Sequence, residues 1–253
     1  MLGRKASLAA LACFAAPLFG QTPSTTHPSA DEIVALYVAK IGGIQKIEGV
    51  TTLKRSGKFR GGGGFEAKFV EENKRPDLVR EELTYQGMTG ITAWDGKTGW
   101  KIEPWQGKKD PEPLGEDELK DILEDSVFDG QLVHSREKGN TVEFAGTEPV
   151  EGSDTWKLKV TLKNGDVSYY YIDTEDHVPI KIEMKRTIRG AERVIDVYPG
   201  DYKVVDGWYV PHSSEQGRPG STQRSTLVFD KIDANVPMDD SLFHQPAAAP
   251  AGK

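Results

Sequence analysis

The chain has a single cysteine, Cys13, in 253 residues, so no intrachain disulfide can form and no site built on several thiolates is available. Basic charge is scarce as well: 32 Lys and Arg stand against 39 Asp and Glu, a net of −7, with no basic run longer than two residues. Binding duplex phosphate depends on Lys and Arg, so this balance excludes a nucleic-acid partner. Hydrophobic residues make up 37%, below the usual ~45–50% for globular chains even allowing that the count omits Gly. Such a deficit suits half-exposed strands with one apolar face better than buried helices and parallel strands. Long apolar runs are missing too. The longest, Ala6 to Phe19, is roughly 14 residues, short of the about 20 that span a bilayer.

That run follows Arg4 and Lys5 and ends at Leu18-Phe19-Gly20, the pattern of a secretory signal peptide over residues 1–20. Export to the periplasm follows, and cleavage there would remove the only thiol. An alternative makes Ala10-Leu11-Ala12-Cys13 a lipidation box, with the chain anchored to a membrane through an acylated Cys13. Residues 21–29, rich in Thr, Ser, Pro and Gln, form a polar linker, and the Ala/Pro tail 246–253 is expected to be disordered. No boundary is evident inside 30–245, which reads as one domain.

The domain opens with a helix. Ser29 and Glu32 have capping-box spacing, and Ile33, Leu36, Tyr37 and Ile41 recur at helical intervals before Gly42-Gly43. A second short turn through Ile44 and Ile47 precedes Gly49. From Val50 the pattern changes to period two. Trp156, Leu158, Val160 and Leu162 alternate with Lys157, Lys159, Thr161 and Lys163, a strand with one wet side. Asn164-Gly165, Asp95-Gly96 and Asp206-Gly207 read as two-residue type I′ hairpin turns, and a further strand is expected near 131–137. About eleven antiparallel strands result, in a mainly β, α+β meander. One helical interruption places Leu119, Ile122 and Leu123 at i, i+3, i+4 behind an acidic opening, a short amphipathic helix whose stripe should lie on the concave face of the sheet.

Signals for chemistry are few. There is no G-x-S-x-G and no H-E-x-x-H, and the histidines after the signal are all more than ten residues apart. Gly61 to Gly64 lacks a following Lys-Ser/Thr and reads as a hairpin tip, and the acidic stretch from Asp110 to Asp129 does not match a calcium loop. No catalytic residue, metal ligand or cofactor is assigned. What stands out is aromatic placement. Phe59, Phe65, Phe69, Trp94, Trp100, Trp156, Tyr169 and Tyr171, with Trp105 beside them, lie on or near strands. On a curved sheet they are candidates for the wall of an apolar cavity, where each buried methylene of a ligand is worth roughly 0.8 kcal/mol.

Four segments carry a family resemblance: the entry helix running through Gly42-Gly43 to Val50, the hairpin Trp94-Asp95-Gly96-Lys97-Thr98-Gly99-Trp100, the stretch Asp201 to Gly207 leading into Val210-Pro211-His212, and the closing Val236-Pro237 to Leu242-Phe243. Over residues 30–245 the chain resembles the outer-membrane lipoprotein-sorting proteins related to the periplasmic lipoprotein carrier LolA. The resemblance implies an incomplete antiparallel barrel of about eleven strands with helices over the open mouth. It also implies non-catalytic binding of lipoprotein acyl chains or another envelope lipid, with inner- or outer-membrane transport components as partners. In the carrier an arginine of an early strand helps hold the lid closed; Arg55 and Arg60 lie in such a strand here, and no local motif fixes the register. A relative class uses the same fold as an envelope-stress sensor or protein-binding module, so carrier and sensor both stay open.

Overall fold

The computed structural model describes residues 27–247. The expected signal peptide (1–20), residues 21–26 of the expected linker and residues 248–253 of the expected tail lie outside the described residues.

Helix α1 (Ala30–Lys40) begins where the capping box places it: Ser29 Oγ accepts from the Glu32 amide while Glu32 accepts from the Ser29 amide. Its buried Ile33, with Ile41 just after it, faces the sheet. Gly42 and Gly43, at φ 120° and 80°, break the chain into α2 (Ile44–Gly49). Gly42 is also a close approach, since a Cβ there would meet the Gly207 carbonyl oxygen at 2.3 Å.

Thirteen strands follow: β1 (Thr52–Arg60), β2 (Glu66–Lys74), β3 (Leu78–Tyr85), β4 (Met88–Trp94), β5 (Gly99–Ile102), β6 (Glu112–Pro113), β7 (Thr141–Thr147), β8 (Thr155–Thr161), β9 (Val167–Asp173), β10 (Pro179–Ile188), β11 (Ala191–Val205), β12 (Trp208–Gly217) and β13 (Ser225–Ala234). Helix α3 (Glu116–Asp125) is inserted between β6 and β7. All join one antiparallel sheet in the order β6-β5-β4-β3-β2-β1-β13-β12-β11-β10-β9-β8-β7, a meander in two runs joined where β1 pairs with β13. The sheet does not close on itself, and with the helices against it the fold is an open half-barrel.

Thirteen strands replace the expected eleven or so, and the expected strand at 131–137 is absent. That segment is a series of turns with positive φ at Gly130, His134 and Gly139, which tucks Leu132 and Val133 into the core without a ladder partner. Among the hairpins, Asp206-Gly207 is the expected type I′ turn, with φ 50° and 81° between paired Val205 and Trp208. At Asn164-Gly165 only the glycine has positive φ, and the Leu162 amide donates to Asp166 across a three-residue loop. At Asp95-Gly96, too, only the glycine has positive φ. The Asp95 carboxylate instead accepts from the amides of Lys97 and Thr98, at 2.9 and 2.6 Å, and these bonds hold its pKa below the ordinary value against a partial loss of water.

Candidate ligand-binding hollow

Cross-strand register decides which residues face inward. Three rows run across the concave side of β1 to β4. Leu53, Asn73, Val79 and Trp94 form one row, Arg55, Glu71, Glu81 and Thr92 the next, and Gly57, Phe69, Leu83 and Gly90 the third. The middle row is polar and the outer two are mostly apolar. Arg55 donates to Glu71, and its guanidinium also sits 5.2 Å from the ring centroid of Phe229.

Helix α3 lies across this polar row. Near its start Glu118 accepts from Lys101 of β5 at 2.5 Å, and at its end Glu124 accepts from Arg186 of β10 at 2.5 Å. The Asn73 amide donates to the Asp125 carbonyl at 3.0 Å. Of the apolar stripe, Leu119 packs beside Gly99, Ile122 is buried, and Leu123 is 37% exposed. The helix is therefore held as much by charge as by apolar contact.

The row beneath it has unusual electrostatics. Removal from bulk water, reinforced by Asp125, Glu71 and Asp121, pushes the Glu81 carboxyl well above the ordinary range against the opposing pull of Arg55. Asp125 is raised to about 7 by its depth in the fold and then by Glu71. The residue itself is nevertheless exposed to solvent.

Two hollows flank the row. The first, about 260 Å³, is walled by Phe59, Phe69, Leu83 and Trp105, with Glu81 and Thr92 in its side. Trp105 stands over Gly90, where a Cβ would come within 1.9 Å of the indole; the glycine makes room for the ring. The second, about 170 Å³, lies between the helices and the far half of the sheet, among Tyr37, Phe128, Tyr170, Ile182, Tyr202 and Trp208, and touches Arg55. A broader depression of 630 Å³ at the start of α3 is lined by Lys101, Glu116, Glu118, Lys120 and Arg189; it is charged and offers an acyl chain no apolar wall.

The sequence-predicted aromatics divide between the faces. Phe59 and Phe69 line the first hollow, and Phe65 packs at its lip against Phe59 and Tyr85, with centroids 6.1 and 4.7 Å apart. Trp94 shares the inner face near the sheet edge, where its indole donates to Asp77 at 3.3 Å. Trp156 shares the inner face of β8 and stacks on His177. Trp100, Tyr169 and Tyr171 lie on the opposite face. Trp100 aligns with Ala93 and Arg80, and its Nε1 donates 2.8 Å to the carbonyl of Phe243, in the segment after β13 that crosses the outer side. Tyr169 and Tyr171 sit among Lys157, Lys181 and Lys185, all about 5 Å from a ring centroid. Glu81, Leu83, Gly90 and the Arg55–Glu71 pair were not singled out from sequence. Val79, Glu81 and Leu83 alternate, so a carboxylate in an apolar register was the available signal.

A family model described as "-like: Uncharacterized protein" matches residues 118–247, just over half of the chain. The chain belongs to that family. No curated protein matches it. Among solved structures it is similar to a LolA superfamily protein from Nitrosomonas europaea, at 13% identity over 86% of this chain and 98% of that one, TM-score 0.59. It is also similar to a DUF1329 family protein from Desulfovibrio piger, at 12% identity over 85% and 97%, TM-score 0.57. A third is a domain named for outer membrane lipoprotein sorting, from Vibrio parahaemolyticus, at 12% over 84% and 94%, TM-score 0.55. The chain shares the fold of these three structures. Among the described residues no helix is long and apolar enough to cross a membrane.

Proposed function

We propose that the protein is a non-catalytic periplasmic carrier that takes an acyl chain of a lipoprotein or another envelope lipid into the half-barrel beneath α3. The observation that carries this reading is the first hollow: aromatic and aliphatic walls from β1 to β5, roofed by Trp105. The likeness of fold to lipoprotein-sorting proteins supports it. At 260 and 170 Å³ the hollows fall below the ~300–1,000 Å³ of sites that enclose drug-sized ligands. A single chain segment suits this closed form, and a larger lipid would require α3 to move away from the sheet. The helix's contacts then compete with the ligand's, which keeps release possible.

Native mass spectrometry of the exported protein, beside solvent extraction, tests the reading. Bound mass that yields acyl chains and disappears in Phe69→Asp supports the carrier. A clean apo mass that stays unchanged after incubation with phospholipid and lipopeptide sinks it. The small, charge-filled interior favours a second reading, a sensor or protein-binding module of the same fold, and that apo result would favour it. The same spectrum reports the N-terminus, distinguishing cleavage after Gly20 from an acylated Cys13.

A further inference from the structure

We propose that the first hollow selects amphiphiles with a cationic head, with the Glu81 carboxylate receiving an ammonium group while the chain lies along Phe59, Phe69, Leu83 and Trp105. This rests on the reading that the half-barrel interior takes an amphiphile and adds which head group it takes.

The argument starts from what surrounds Glu81. It is the ionisable group of β3 in the hollow wall, partly accessible from that space, and its carboxyl has no hydrogen bond to a described residue. Facing it are Glu71 from β2 and Asp121 and Asp125 from α3, against one guanidinium, Arg55 of β1, which is engaged by Glu71. Glu103, also in the wall, is occupied by Lys101 at 3.0 Å. An anionic head entering here meets four carboxyl groups against a single guanidinium, Arg55, which is paired with Glu71 and keeps one unpartnered N–H, its buried Nε, among the described residues. A neutral head gains one hydrogen bond at most. An ammonium group gains a charge-assisted bond to a carboxylate that otherwise has no partner, the arrangement that offsets the loss of water from both charges.

Size agrees with this assignment. A hollow of about 260 Å³ with its carboxyl in the wall accommodates a linear chain with a compact head.

Titration calorimetry with octylammonium, octanol and octanoate at pH 7.5, on the unmodified chain, Glu81→Gln and Leu83→Trp, tests the proposal. Octylammonium is expected to bind at least 10-fold more tightly than either of the others, with the preference falling below about 2-fold in Glu81→Gln. All three should weaken at least 10-fold in Leu83→Trp, which fills the hollow. Binding of the three probes within 2-fold of one another, or a preference for octanoate, overturns the head-group assignment and leaves the carrier reading standing. A preference that persists in Glu81→Gln, or survives in Leu83→Trp, places the cation elsewhere and overturns it. If no probe binds the unmodified chain, both this assignment and the carrier reading fail. The ranking on the unmodified chain and the Leu83→Trp result do not depend on whether Glu81→Gln folds.

Discussion

Arg186 of β10 donates to Glu124 of α3 at 2.5 Å, and both side chains are largely withdrawn from water, at 5% and 19% exposure. The helix is thereby tied to the far half of the sheet while Lys101 ties its start to the near half. Arg186 also reaches Ser168 Oγ and the Val167 carbonyl, and its Nε has no partner among the described residues. Breaking such a pair by removing one partner costs about 3–5 kcal/mol when both ends are fully buried. Glu124 keeps some access to water, so Glu124→Ala is expected to cost roughly 2–3 kcal/mol, at or below the bottom of that range. The expected outcome is a lower urea midpoint, with faster amide exchange across 116–125 before any loss of protection in β8 to β11.

The interior carboxyls set a pH dependence with an unusual sign. Burial and neighbouring carboxyls raise both Glu81 and Asp125 in the folded state, the latter to about 7, so the folded chain binds more protons than the unfolded one between the ordinary carboxyl range and about pH 7. Stability from these groups is full below the unfolded values and is lost as pH rises through the folded ones. Glu66, Asp95, Glu118 and Asp173 shift the opposite way, and what they contribute is lost only in the acid range below pH 4.5. Melting temperature should therefore fall from pH 5 to pH 7.5, and Glu81→Gln should raise it at pH 7.5 and flatten the slope. A melting temperature that rises steadily across this window in both chains would refute the assignment.

Local chemistry was the legible part of this fold. The Ser29–Glu32 capping box, the Asp206-Gly207 turn and the amphipathic spacing of α3 each involve residues within four positions of one another, and all three are present. Period two also located most strands. It does not say which alternate set turns inward, because that depends on what covers each face. Trp100 lies outward because Phe243, 143 positions away, covers it, and Tyr169 and Tyr171 lie outward among lysines, of which period two had placed Lys157 on the wet side. The polar row was hidden for the same reason. Arg55, Glu71 and Glu81 look like surface charges until register aligns them on one face under α3.

Gly90→Ala tests the roof of the first hollow. Backbone strain is not involved, since Gly90 is not among the positive-φ glycines; the added methyl would instead fall within 1.9 to 2.8 Å of three indole atoms of Trp105. Trp105 is already 42% exposed, so the ring can swing outward without dragging the sheet. Overpacking costs about 1–3 kcal/mol, and the lower end is expected here. The measurement is tryptophan emission, which should shift to the red in Gly90→Ala and show no shift when Gly90→Ala is made in a Trp105→Phe background.

Trp100→Phe and Phe69→Asp separate the two faces of the sheet. Trp100 is fully buried and its indole donates to the Phe243 carbonyl, so the phenylalanine variant loses one hydrogen bond, worth about 0.5–1.5 kcal/mol, along with some packing volume. The loosened element is the segment that crosses the outer face after β13, anchored also by Lys74 to the Met238 carbonyl and to Asp240. The hollow lies on the other side, and neither Trp100 nor Phe243 lines it. Trp100→Phe should therefore lower the denaturation midpoint and leave octylammonium affinity within about 2-fold of the parent, whereas Trp100→Ala, which empties a large buried volume, should cost about 3–5 kcal/mol. Phe69→Asp should do the reverse. Its side chain faces the hollow and is only partly buried, so the chain can stay folded with the added carboxylate in water, but an apolar tail then meets a charge where it had an aromatic wall. Loss of binding in Trp100→Phe with full binding in Phe69→Asp would place the ligand on the outer face, under the closing segment.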